Sequence, residues 1–98
     1  MFAKPIRYIV TNPATVEGLK NRSQATELRI TATEVLDELS VRRGATPNTR
    51  NFTFNVIEEH YSPYFLVVQD MNTLRTAKID VNTELDEISF TLVVDYDN

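Results

Sequence analysis

From Glu87 to Tyr96 the chain alternates, with Ile88, Phe90, Leu92, Val94 and Tyr96 on one parity and Ser89, Thr91, Val93 and Asp95 on the other. That two-residue period is a strand with one face on a core. Three similar runs precede it. Residues 51–60 place Phe52, Phe54 and Val56 on one side. Residues 64–69 are apolar on both parities, which predicts a central strand covered on both faces. Residues 74–81 alternate again, after turn chemistry at Asp70-Met-Asn-Thr73. At the other terminus, Ile6, Tyr8 and Val10 share a side in residues 4–11, and Pro5 suits a strand's first residue, where a missing N–H does least harm.

The helical pattern is thinner. Asn12-Pro13 stops the first strand, and Pro13 is placed to open a helical turn over residues 14–20 with Asn12 as its cap. Residues 23–43 read in two ways. As one helix, Leu28, Ala32, Val35, Leu36 and Leu39 form a stripe, but Ile30 and Val41 fall on the polar side. As two pieces, residues 27–32 are a strand and Thr33 caps a helix over 34–43, ended by Gly44 with Arg42 and Arg43 in its last turn. The second reading accounts for Ile30 and is preferred. Residues 45–50 are a loop. The expected architecture is therefore a single α+β domain: a four-stranded antiparallel meander over 51–96 plus an N-terminal strand, packed with one or two helices. The face carrying Phe52, Phe54, Leu66, Val68, Phe90 and Leu92 is expected to bury against helix 34–43.

Composition agrees with a folded, strand-rich domain. Val, Ile and Thr supply 28 of 98 residues, and 42% of the chain is hydrophobic. The absence of cysteine excludes disulfides, thiolate catalysis and zinc–cysteine sites. No apolar run reaches the length of a signal peptide or a membrane span, so the sequence predicts a soluble cytoplasmic protein without membrane contact.

The net charge of −4 conceals an asymmetry. Residues 1–50 hold eight Lys/Arg against five Asp/Glu, whereas residues 51–98 hold two against nine. A partner-binding surface is expected where these signs concentrate: Arg42, Arg43 and Arg50 on the basic side, and Asp86, Glu87, Asp95 and Asp97 on the acidic side. Val93 joins them as an apolar residue on an otherwise polar strand face. If one chain's basic end meets another's acidic end, a homo-oligomer follows.

Candidate chemistry narrows the picture further. Glu34–Arg50 resembles a helix-turn-helix in outline, yet Arg43, Arg50 and Thr53 stand where that motif needs apolar contacts. Nucleic acid is thus the disfavoured partner, with Arg22, Arg29, Arg42, Arg43 and Arg50 as its only footing. Glu58 and His60 share a strand face, but two ligands do not make a metal site. Asp80, Glu84, Asp86 and Glu87 cluster at a wet turn, with nothing to raise a carboxylate into a catalytic range. Two glycines cannot build a phosphate-cradling loop. No catalytic residue, metal or cofactor is assigned. Tyr61, Tyr64, Phe65 and Met71 surround the hairpin at 60–73, where any exposed member would favour protein contact. The expected function is non-enzymatic: protein interaction or assembly through a sheet edge or face and oppositely charged ends, with a nucleic-acid regulator as the alternative.

Overall fold

The computed structural model describes residues 2–96. Six strands follow the chain: β1 (Phe2–Asn12), β2 (Glu27–Glu34), β3 (Thr49–Tyr61), β4 (Tyr64–Asp70), β5 (Thr76–Asn82) and β6 (Glu87–Tyr96). Each pairs antiparallel with the next, and β6 pairs back onto β1, from Phe2↔Tyr96 to Ile9↔Ser89. The result is a closed up-and-down barrel. This corrects the α+β expectation. There is no open sheet covered by helices, and the meander does not stop at four strands.

The strand patterns themselves explain the closure. Side chains of one parity from every strand point inward: Tyr8 from β1, Ile30 from β2, Phe52 and Phe54 from β3, Leu66 from β4, Ile79 from β5 and Phe90 from β6, all nearly inaccessible. Six apolar faces that each need burial satisfy one another when the sheet curls on itself. Phe90 is the hub, with its ring 5.2 Å from Tyr8, 5.2 Å from Phe52 and 5.4 Å from Phe54. The face expected to meet helix 34–43 meets aromatic rings instead. Two bulges help the sheet bend, at Val10/Asn12 on β1 and Val56/Glu58 on β3, and the extra residue of the second, Ile57, is left exposed.

Helix 34–43 is the largest correction. Glu34 is the last residue of β2, and only α2 (Glu38–Arg42) is helical. It buries no residue. Leu39 and Val41, two apart, cannot share one face of a helix, and the barrel has already satisfied the apolar surface they would cover. The strand over 27–32 is present and two residues longer than expected. The other helix, α1 (Val16–Arg22), is capped by the Thr15 hydroxyl, which accepts from Gly18 N at 3.1 Å, rather than by Asn12. Its Val16 and Leu19 are buried. β4 is covered on one face only, since its outward residues are half-buried. Leu74 lies in the turn before β5, with φ 64°.

Candidate interaction surface

Connectivity gives the barrel two distinct ends. The β1–β2 connection with α1, the β3–β4 turn and the β5–β6 turn lie at one end. The β2–β3 connection with α2 and the β4–β5 turn lie at the other. Strand direction forces this in an antiparallel barrel.

At the first end α1 is fastened at both of its termini. Asp86, in the β5–β6 turn, accepts the Val16 backbone N–H at 2.9 Å and so satisfies an unpaired donor of the first helical turn. The Glu59 carboxylate collects the hydroxyls of Tyr64 (2.7 Å), Tyr61 (2.8 Å) and Ser23 (2.8 Å), and Ser23 shares its proton with the Lys20 carbonyl. The Tyr64 hydrogen bond does most to hold the Glu59 carboxyl below its ordinary range. Burial, with the Glu59 charge adding to it, pushes the Tyr64 phenol up to about 12. A carboxylate held ionised by three donors cannot act as a general acid, so this cluster is a strap.

On the outer wall, His60 Nε2 lies 2.8 Å from Glu58 Oε1, and its ring stacks on Phe65 at 4.1 Å. Lys78 Nζ lies 4.4 Å from the centre of the Phe65 ring. The shared strand face of Glu58 and His60 thus brings carboxylate and imidazole together as a pair. Phe65 is half-buried on the outside and does not enter the core, whereas Tyr64 is buried; Tyr61 and Met71 stand exposed. Among the described residues, no three His, Cys, Asp or Glu side chains are grouped to hold a metal ion.

The expected partner residues divide. Arg42 and Arg43 project from α2 into solvent; Arg42 is bound to Glu38 at 2.6 Å, and Arg43 has no ion pair among the described residues. Arg50 is not part of that group. It leans into the barrel mouth, with its guanidinium 4.9 Å from the Phe52 ring. On the acidic side, Asp86 is committed to Val16, and Glu87 sits 3.6 Å from Arg7. The backbone of Asp95 pairs with Ala3 at the α2 end, so it is not beside Asp86. Asp97 lies outside the described residues. Val93 faces outward, 38% exposed, opposite Pro5. Arg22 and Arg29 come together along a polar groove with Asn12, Thr31 and Asn51, away from the arginines of α2.

Two features escaped the sequence. The first is a pair of exposed apolar groups at the two ends: Leu39 (61%) and Val41 (60%) on α2, and Leu85 (69%) between Glu84 and Asp86. The signals were legible: i, i+2 apolar spacing in a short helix, and a leucine inside an acidic turn. The second is a gap in the barrel seam. β1 pairs with β2 only from Tyr8 onward, and the last bond there runs from Val35 N to Arg7 O at 2.8 Å. Below it, a cavity of about 320 Å³ opens between Lys4–Arg7 and Glu34–Asp37. Backbone groups alternate in direction along a strand, so Pro5 turns toward the same open side as Arg7. Its missing N–H denies an incoming strand a donor.

Comparison with family models, curated proteins and solved structures finds no match for this chain.

Proposed function

We propose that the protein is a non-enzymatic assembly subunit that associates through the two ends of its barrel. One observation carries the reading: large apolar side chains stand in solvent at both ends, beside charge of opposite sign. At one end they are Leu39 and Val41, next to Arg42 and Arg43. At the other it is Leu85, between Glu84 and Asp86. Exposed leucine inside a charged rim is the composition of a contact surface, and nothing in α2 contributes to the core to justify its apolar residues otherwise. At the β1 overhang Pro5 obstructs strand addition, which favours the ends over that edge.

A cytoplasmic setting is part of this proposal, and the lack of cysteine in the sequence is compatible with it. No helix among the described residues is long and apolar enough to cross a membrane.

Light scattering on a concentration series tests the reading. Average mass should rise with concentration at low salt, and replacing Leu39 and Val41 together by serine should suppress the rise without lowering the melting temperature. A mass that stays at the 11.2 kDa monomer up to millimolar concentration refutes it.

A further inference from the structure

We infer that the groove on the β1–β2–β3 wall is a binding site for a phosphate monoester of a small polyol. It lies on the side of the barrel, apart from both ends, and is independent of the assembly reading. Strand register builds it: Asn12 on β1 stands opposite Thr31 on β2, and Thr31 stands opposite Asn51 on β3. Arg22, the last residue of α1, lies against the end of this row. Its guanidinium donates to the Arg29 carbonyl at 3.0 Å and to Asn12 Oδ1 at 2.9 Å. Both acceptors are uncharged, so Arg22 is held in place while its charge goes unanswered. Arg29 also lines the groove, but Glu27 pairs with it at 3.2 Å. Among the described residues no carboxylate lines this groove of about 300 Å³.

The donors left over select the ligand. A guanidinium has five N–H groups, and two of those on Arg22 are used, so three remain. An arginine only donates, so the Asn12 atom facing it is the oxygen, and both amide hydrogens of Asn12 stay unused. These five donors exceed the four lone-pair sites of a carboxylate, whereas the three terminal oxygens of a phosphate can accept them all. A guanidinium fixed in orientation also suits phosphate, which it grips as a fork. Farther along, the Thr31 hydroxyl donates to Asn51 Oδ1 at 2.8 Å, which leaves the Asn51 amide hydrogens for a ligand. With Thr53 beside them, these neutral groups match the hydroxyls of a polyol. No ring offers a base a stacking surface, since Phe52 is 3% exposed and turned into the core. The volume sits at the low end for small-molecule sites, which fits a short ester.

Titrations followed by amide chemical shifts test the site, at an ionic strength held constant with sodium chloride. Glycerol 3-phosphate should move the amides of Asn12, Arg22, Arg29 and Asn51, with a dissociation constant of about 1 mM. Inorganic phosphate should move the first three and bind about threefold more weakly. Malonate, matched in charge but with its oxygens on two planar groups, should bind about tenfold more weakly. Arg22→Gln removes the charge and should weaken glycerol 3-phosphate about tenfold or more. Because Arg22 also ties α1 to β1 and β2, a second variant separates binding from loosening of the fold. Asn51 bonds to Thr31 and not to α1. Asn51→Ala should therefore keep the wild-type melting temperature and the affinity for inorganic phosphate, yet weaken glycerol 3-phosphate about threefold. If none of the three anions moves these amides, or Arg22→Gln responds as wild type does, the site is wrong. Malonate binding as tightly as glycerol 3-phosphate overturns the choice of phosphate, and an unchanged ester affinity in Asn51→Ala overturns the polyol. An oligothymidylate that moves the same amides at lower concentration overturns the small ligand in favour of nucleic acid.

Discussion

A barrel core and a helix-covered sheet both bury Phe90 but make opposite demands on Leu39, and alanine substitutions at the two positions separate them. Phe90 is 1% exposed and touches three other rings. Truncating a buried phenylalanine costs about 3–5 kcal/mol, and the loss of three edge or stacked contacts favours the upper part of that range. A domain of this size is stable by only about 5–15 kcal/mol, so Phe90→Ala should fold marginally or not at all. Phe90→Leu keeps most of the volume and should cost about 1–2 kcal/mol. Leu39 is 61% exposed on a helix without a buried residue. Its truncation leaves no cavity, and alanine is the better helix former, so the net effect should stay within about 0.5 kcal/mol. Had residues 34–43 formed a helix over the aromatic face, Leu39→Ala would cost about 2–5 kcal/mol. Urea unfolding followed by the emission of the four tyrosines reads both variants, as a shift in midpoint at constant slope. A Leu39→Ala loss of 2 kcal/mol or more, with Phe90→Leu neutral, would refute the barrel packing.

Acid should loosen α1 through Glu59. Its folded pKa is depressed, so its contribution is complete above the unfolded value near 4.5 and is lost as pH falls through the lower folded one. Glu59→Gln should flatten the acid limb of a stability–pH curve in that window; the slope remaining would come from Asp37, whose carboxyl is held down chiefly by the Ser40 backbone N–H. The alkaline side belongs to Tyr64, whose pKa is raised from 10 to about 12: stability is whole below pH 10 and falls between 10 and 12, and absorbance titration should lose its latest phenol in Tyr64→Phe. Pro5→Val restores a donor to the open edge of β1 and should leave the unfolding midpoint within about 0.5 kcal/mol of wild type while raising thioflavin-positive aggregation on incubation; unchanged aggregation would remove the protective role of Pro5.

The strands were legible because each alternates independently of its partners: Ile6, Tyr8 and Val10, Phe52 and Phe54, and Ile88, Phe90 and Leu92 all point inward as their parity demanded. Closure was not legible, since it depends on whether the first and last strands pair. No local pattern on Lys4–Thr11 or Glu87–Tyr96 distinguishes a strand at an edge from one that meets the other end of the chain. The helix error has the same origin. Leu36 and Leu39 look like core when the Phe52–Phe90 face is assumed to need a cover, and they lose that reason once Tyr8 and Phe90 fill the interior themselves. Arg50 shows the converse. Its charge placed it with Arg42 and Arg43, but its parity, shared with Phe52 and Phe54, placed it in the barrel mouth. Among the candidate residues parity was the better guide, and charge clustering along the sequence the poorer one.

Closing the sheet also changes what kind of association the chain can support. A six-stranded barrel with aromatic rings packed at its centre is filled by its own side chains. Pairing lapses along β1 before Tyr8, which carries a proline on its open side, and along β6 after Phe90, which β5 does not reach. Sheet extension is therefore blocked at the β1 gap. Side-chain contacts are the alternative to sheet extension, and the outer wall offers few large apolar ones outside the Ile57, Tyr61 and Phe65 region and Val93. The connections at the ends are free of the alternation rule that governs the wall, so they can hold a leucine in solvent without disturbing the core. In this chain they do so three times, at Leu39, Leu74 and Leu85, and at Leu39 and Leu85 removing the side chain would cost the monomer little. Residues that the fold does not need are where selection for contact can act without a penalty in stability.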